Sequence, residues 1–193
     1  MSETEKLDAV ALLKADHRKV EELFAQFEKA RGVERKRALA TQICTELTVH
    51  TMIEEEIFYP ACKGKVEDDL VAEAYVEHDA AKVLIAQIEE GGPEEEFYDA
   101  KVKVLSEEIE HHVEEEEKRV EGMFSQARKA GLDMDALGEQ MAARKQALMA
   151  QIKAQGVPAP EVRTFTAVDL EEVPVDETGA SGQDGEQPGL GQR

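Results

Sequence analysis

The sequence predicts an all-α protein: an up-down-up-down four-helix bundle with an additional C-terminal helix and a disordered acidic tail. Three observations predict it. Proline and glycine are scarce until the last part of the chain, while Ala, Glu, Lys and Leu dominate, a helix-forming composition. Short breaks at Gly32, at Pro60 and Gly64, at Gly91-Gly92-Pro93 and at Gly131 separate long helical stretches. Short connections between long helices make neighbours antiparallel. Finally, His50-Thr51-Met52-Ile53-Glu54 and His112-Val113-Glu114-Glu115-Glu116 are two copies of one box. Each puts a histidine and a glutamate at i and i+4, one above the other on a helix face.

Taken in order, helix A is expected over 7–30 and stops at Gly32. Helix B, over 34–59, ends at Pro60 and Gly64. Helix C covers 68–90 and ends at Gly91-Gly92-Pro93, and helix D covers 94–129 and ends at Gly131. A fifth helix over 133–154 takes Asp133 as its N-cap. The expected organisation is a bundle over 1–131, the extra helix over 132–156 and the tail over 157–193. In 161–193 there are eight acids and two arginines, too polar a composition to offset its ordering entropy. Within it, Val162, Phe165, Val168, Leu170 and Val173 suggest a strap over 162–175 docking on the bundle through apolar side chains.

An internal repeat relates the two halves. His17-RKVEELFAQF and His78-DAAKVLIAQI share Leu, Ala and Gln at the same offsets from the histidine. Each leads into a helix with a His-x-x-x-Glu box, so helices A and B echo helices C and D.

Helix phase orients the histidines. Val10, Leu13, Val20 and Phe24 share a stripe with His17, and Ile43, Leu47, Ile53 and Ile57 share one with His50 and Glu54. Val71, Ala74, Ala81 and Ile85 frame His78, while Leu105 and Ile109 run into His112 and Glu116. Apolar phase therefore favours His112 with Glu116. The repeat favours His111 with Glu115, because the interval from His78 to His111 equals that from His17 to His50. Taken singly, a histidine on an apolar face is most often a packed core residue. The joint pattern says more, since burying unpaired carboxylates at two mirrored positions needs a compensating cation. Imidazoles and carboxylates suit first-row metals, and four-helix bundles hold dinuclear carboxylate sites this way. The candidate metal ligands are His17, His50, Glu54, His78, His112 and Glu116.

Composition excludes other classes. Against 23 basic residues there are 43 acidic ones, a net charge of -20, which argues against nucleic-acid and anionic-membrane partners. No stretch is long and apolar enough to span a bilayer, and MSETEKLDAV lacks the features of a signal peptide. Cys44 and Cys62 form no disulfide framework. A cytoplasmic location is the expectation, with a basic protein as the kind of partner the tail would suit. Cys44 and Cys62 as redox groups, and Tyr59 and Tyr75 as oxygen ligands, are weighed against simple packing roles.

These residues resemble the hemerythrin-like (HHE cation-binding) domain over roughly residues 8–130. The resemblance rests on Asp16-His17, on His50-x-x-x-Glu54 followed by Glu55 and Phe58-Tyr59-Pro60, on Glu77-His78, and on His111-His112 with its glutamates. It implies a four-helix bundle around a non-haem di-iron centre, hence two iron ions, with Glu54 and Glu116 as bridging carboxylates and His17, His50, His78 and His112 as terminal imidazoles. The implied function is binding of dioxygen, nitric oxide or peroxide at an open iron position, in sensing, scavenging or stress protection. A peroxidase- or ferroxidase-like enzyme on the same site and a metal-free acidic helical adaptor are the alternatives. The chain departs from the pattern at two places. Lys82 stands where oxygen-carrying hemerythrins have a second helix-C histidine. The expected Phe-Pro close of helix D is replaced by a later Phe124-Ser125 after Gly122, which suggests an extra turn or a π-type bulge there.

Overall fold

The structure is a computed structural model, and it describes residues 7–166. Every regular element among them is helical. The order is α1 (Ala9–Lys29), α2 (Val33–Ile53), a π-helical turn (Glu54–Phe58), α3 (Tyr59–Cys62), α4 (Asp68–Glu90), α5 (Tyr98–Glu117), α6 (Met123–Lys129) and α7 (Met134–Gln155). α1 packs on α2, α2 on α4, α4 on α5 and α5 back on α1, closing a ring of four helices. α7 lies outside it, against α1, α2 and the π turn.

Local chemistry sets the ends. The Asp8 carboxylate accepts from Ala11 N (2.8 Å) and caps α1. Both oxygens of the same carboxylate accept from Arg128 Nη2 (2.9 and 2.8 Å), which ties α6 to the start of α1. Asp133 caps α7 by accepting from Ala136 N at 3.0 Å. Close helix contact explains Gly138 on α7: a Cβ there would meet Leu7 O at 2.5 Å and Ala9 N at 2.8 Å, so only glycine lets α7 lie against the chain entering α1.

Helix D differs from its expected form. Rather than running over 94–129, it begins at Tyr98, stops at Glu117 and resumes as α6 after a tight turn. At Gly122 a Cβ would sit 2.6 Å from Glu116 O, Lys118 N and Lys118 O, so the chain doubles back over the end of α5 at a point only glycine fits. The π-type irregularity also lies elsewhere than expected, in helix B at Glu54–Phe58.

The expected strap is different in kind. Of 162–175 only the first part is described. There Val162 and Phe165 are 41% and 43% exposed, while the backbone is pinned by a carboxylate. Asp79 accepts from Arg163 N (2.7 Å), Thr164 N (2.7 Å) and Thr164 Oγ1 (2.8 Å). Docking over 162–166 is polar, and Val168, Leu170 and Val173 lie outside the described residues. The tail expected to be disordered lies, beyond residue 166, outside the described residues.

Two apolar clusters fill the interior. One gathers Leu13, Ile53, Phe58, Met123, Phe124, Met141 and Leu148, the other Phe24, Phe27, Leu39, Ile43, Leu47, Ile85, Leu105 and Ile109. The repeat is visible in the second, where Phe24 and Phe27 of α1 correspond to Ile85 and Ile88 of α4, all buried. The buried polar residues form a separate set: His17, His50, Thr51, Glu54, Glu55, His78, Asp79, His112 and Glu116.

Candidate metal centre

Each helix of the ring delivers one imidazole. His17 comes from α1, His50 from α2, His78 from α4 and His112 from α5; Glu54 opens the π turn and Glu116 lies in the last turn of α5. None of the six is more than 5% exposed. The structure turns His112 and Glu116 inward and leaves the His111 side chain 60% exposed and Glu115 partly exposed. The turn between α4 and α5 absorbs the one-residue difference from the repeat.

The donor atoms converge as two imidazole pairs. His17 Nε2 lies 3.2 Å from His50 Nε2, and His78 Nε2 lies 3.3 Å from His112 Nε2; ring centroids are 4.8 Å apart in both pairs. Glu54 Oε2 is shared, 3.1 Å from His50 Nε2 and 3.3 Å from His78 Nε2. Glu116 Oε2 is likewise between the pairs, 3.4 Å from His17 Nε2 and 3.7 Å from His112 Nε2. Two cation-sized groupings result: His17, His50, Glu54 and Glu116, and Glu54, His78 and His112. A third grouping, Glu73, Glu77 and His111, lies at the surface, and its Glu77 is already engaged with His112.

A second ring of carboxylates surrounds the imidazoles, and the sequence reasoning missed its role. Glu117 Oε1 lies 2.8 Å from His17 Nδ1, Glu55 Oε1 3.1 Å from His78 Nδ1, and Glu77 Oε2 2.7 Å from His112 Nδ1. Asp16 Oδ2 faces His50 Nδ1 at 3.7 Å. With a carboxylate hydrogen-bonded at Nδ1 of His17, His78 and His112, the proton is assigned there and the Nε2 lone pair faces the centre. The signal was adjacency. Asp16, Glu55, Glu77 and Glu117 each neighbour an inward ligand in sequence, and a residue one step along a helix is turned about 100° towards the next helix. Each therefore serves the histidine of the helix beside it, around a closed circuit.

Tyr59 is the other residue underrated from sequence. Five residues after Glu54, it would face away on a regular α-helix. The π turn, closed by Tyr59 N–H to Glu54 O, keeps both on the inner face. Its hydroxyl donates to Glu116 Oε1 (3.1 Å) and lies 3.1 Å from His78 Nε2 and 3.4 Å from Glu54 Oε2. Burial, then the Glu116 and Glu54 carboxylates, push the phenol well above its usual range. Tyr75 stays outside, edge-on to Tyr59 at 5.3 Å. Cys44 and Cys62 are fully buried, and burial pushes both thiols up, Cys62 to about 12, so neither offers a thiolate. Lys82 points away from the six ligands, with Nζ 2.7 Å from Glu55 Oε1 and 3.0 Å from Asp79 Oδ1.

The donor set fits a metal. Glu54 Oε1 and Glu116 Oε2 are buried with no hydrogen-bond donor, a costly arrangement for an anion without a cation. Without metal, protons must fill the role. Burial opposes a charge on His50, yet Glu54 and Asp16 outweigh it and lift the imidazole to about 10. His112 is raised for the same reason, burial being overcome by Glu116 and Glu77. Beside the imidazoles is a cavity of about 10 Å³, room for about one water-sized molecule. Val20, Leu47, Ile109 and Val113 give it apolar walls.

A four-helix ring with four inward histidines and shared glutamates defines a cation-binding helical-bundle protein. The hemerythrin HHE cation-binding domain model matches residues 8–124, more than half of the chain, and the chain belongs to that family. A solved HHE cation-binding domain-containing protein from Mycobacterium kansasii shares the fold, with a TM-score of 0.65 and 24% identity, covering 78% of this chain and 94% of that one. A curated protein from Nostoc sp. described as a DNA nickase is 27% identical over 116 residues, 60% of this chain and 33% of that protein. The chain thus spans about a third of that relative's length.

Proposed function

We propose that this chain is a non-haem di-iron protein that binds dioxygen, nitric oxide or peroxide, in sensing, scavenging or stress protection. In this reading α1, α2, α4 and α5 form the up-down-up-down bundle. His17, His50, Glu54 and Glu116 would hold one iron ion and Glu54, His78 and His112 the other, with the Tyr59 hydroxyl beside the second set. Bound iron would supply redox-active Lewis-acid chemistry for a small ligand. The chain's own groups do the rest. Asp16, Glu55, Glu77 and Glu117 orient the imidazoles. Val20, Leu47, Ile109 and Val113 keep bulk water away and limit the ligand to a few atoms. The observation that carries the reading is the pair of buried carboxylates, Glu54 and Glu116, set between two imidazole pairs, each with one oxygen that has no hydrogen-bond donor.

Small ligands are proposed as the partners, not nucleic acid. The nickase activity named for the Nostoc relative belongs to a protein of which the match covers only 33%, and a net charge of -20 here opposes phosphate binding. The family membership and the absence of any helix among the described residues long and apolar enough to cross a membrane fit a cytoplasmic location.

The test is elemental analysis and anaerobic ligand titration of freshly purified protein. Two iron ions per chain and an optical change on adding nitric oxide or peroxide are expected. Continuous peroxide or ferrous-ion turnover would move the reading to an enzyme on this site. Protein purified from iron-replete cells without stoichiometric metal, and with no change in melting temperature on adding chelator, would mean a packed helical adaptor instead.

A further inference from the structure

The family match ends at residue 124, yet the chain beyond it returns to the centre twice. On α7, Lys145 Nζ pairs with Asp16 Oδ1, and the other oxygen of that carboxylate faces His50 Nδ1. After α7, residues 161–164 lie along α4. Asp79, 1% exposed, takes three bonds from Arg163 and Thr164 and a fourth from Lys82 Nζ. Lys82 also donates to Glu161 O (3.2 Å) and pairs with Glu55 Oε1 (2.7 Å). That same Glu55 oxygen lies 3.1 Å from His78 Nδ1.

Among the described residues the other two imidazoles have no such connection. His17 and His112 take their carboxylates from Glu117 and Glu77. Those acids are paired with Lys14 and Arg18, and with His111, all inside the matched domain. Among the described residues the C-terminal segment therefore reaches one histidine in each half of the centre, His50 and His78.

We infer that α7 and the segment 161–164 act as positioning elements of the metal centre, Lys145 acting through Asp16 on His50, and Asp79 with Lys82 acting through Glu55 on His78. The inference rests on the proposed metal-binding reading for its purpose, though not for its geometry. Isolated exposed ion pairs contribute little, but these are not isolated. Asp79 is buried and fully bonded, and Lys82 ties three elements together at one ammonium. In the described part of the strap Val162 and Phe165 are exposed, Val157 packs against the apolar clusters, and a cavity of about 600 Å³ lies between residues 157–161 and α2 and α4. Outer carboxylates and their partners set the orientation and basicity of a ligating imidazole, and losing them typically costs 10–100-fold in metal affinity.

The test uses the full chain with Lys145→Met, Lys82→Met and Asp79→Ala, with Lys82→Arg as the conservative rescue. Lys103→Met is the control, since Lys103 pairs with Glu107 on the exposed face of α5. Imidazole Nδ1–H resonances are read by nitrogen-edited NMR on metal-free and zinc-loaded protein, and iron release to chelator is timed separately. Lys145→Met should shift His50 alone; Lys82→Met and Asp79→Ala should shift His78 alone. Each should speed iron release roughly 10-fold, and Lys82→Arg should restore the His78 signal. Resonances and release rates that match the parent overturn the inference, as does a common shift of all four histidines with a fall in melting temperature. If Asp79→Ala fails to fold, the Lys82 pair of variants decides alone. Selective shifts in a protein that takes up no metal would sink the metal reading and leave the relays standing. Metal uptake with silent relays would do the reverse.

Discussion

The two halves of the centre are built alike and finished differently. In each, two imidazoles approach to within 3.2 or 3.3 Å and an aromatic ring lies against one of them. Phe124 stacks on His17 at 5.8 Å and 12°, while Tyr59 lies over His78 at 5.3 Å and 32°. Only the second carries a hydroxyl aimed at the ligands. The repeat supplies the common plan. The π turn after His50, and the break at Lys118 with its return through Gly122, supply the difference. A duplicated scaffold thus presents two unequal positions: one with two imidazoles and two carboxylates, the other with two imidazoles, a shared carboxylate and a phenol.

The largest effect should come from the group both halves share. Glu54→Ala removes the carboxylate common to both groupings, and on the proposed di-iron reading iron content should fall from two per chain to well below one, measured by elemental analysis. Retention of both ions would break the picture of a shared carboxylate. A smaller effect is expected where the halves differ. Tyr59→Phe keeps the ring packed against Phe58 and Tyr75 and deletes only the hydroxyl. One iron of the two should then be lost about 10-fold faster to chelator, with a changed visible spectrum and an unchanged fold by circular dichroism. Equal behaviour of both ions would make the phenol a packing group and the halves equivalent.

The pH dependence sharpens the comparison further. In the metal-free chain His50 titrates near 10 in place of its ordinary 6.5. A folded-state value raised above the unfolded one stabilises fully below about 6.5, and this stabilisation is lost as pH rises through about 10. The melting temperature of chelator-treated protein should therefore decline across that window. Metal-loaded protein should hold its own there, because metal replaces the protons and binds more tightly as they leave. The gap between the two forms should widen with pH. A gap that narrows would mean the imidazoles do not exchange protons for metal.

How much of this was legible depended on whether a feature is local. The inward phase of His17, His50, His78 and His112 could be read because each shares a stripe with several apolar residues, and periodicity over two turns is robust. The end of α1 at Gly32 and the Asp133 cap were legible for the same reason. The break in helix D was not, because Lys118 to Gly122 contains nothing that forbids a helix outright; what ends α5 is the return of the chain over Glu116, a tertiary contact. The π turn was equally hidden, since Glu54 to Phe58 has ordinary helical composition. Its consequence, Tyr59 facing the ligands, was therefore ranked below packing. The outer carboxylates were visible as letters and invisible as partners, because each acts on a histidine of another helix.

The smallest expected effect tests the register itself. The repeat offered His111 with Glu115 and the apolar phase offered His112 with Glu116, one residue apart. On a helix that step turns a side chain by about 100°, which here separates a buried imidazole from one largely in solvent. His111→Ala removes only an exposed ring 3.6 Å from Glu77, and surface substitutions of this kind change stability by about 0.5 kcal/mol or less. Iron content and melting temperature should stay at the parent values, while His112→Ala should cost the half of the centre that includes His78. If the two variants exchanged these results, the last turns of α5 would have to rotate by one residue. Glu116 and Val113 would leave the interior with His112, and the link from Glu116 to Tyr59 and His17 would be lost along with the difference between the halves.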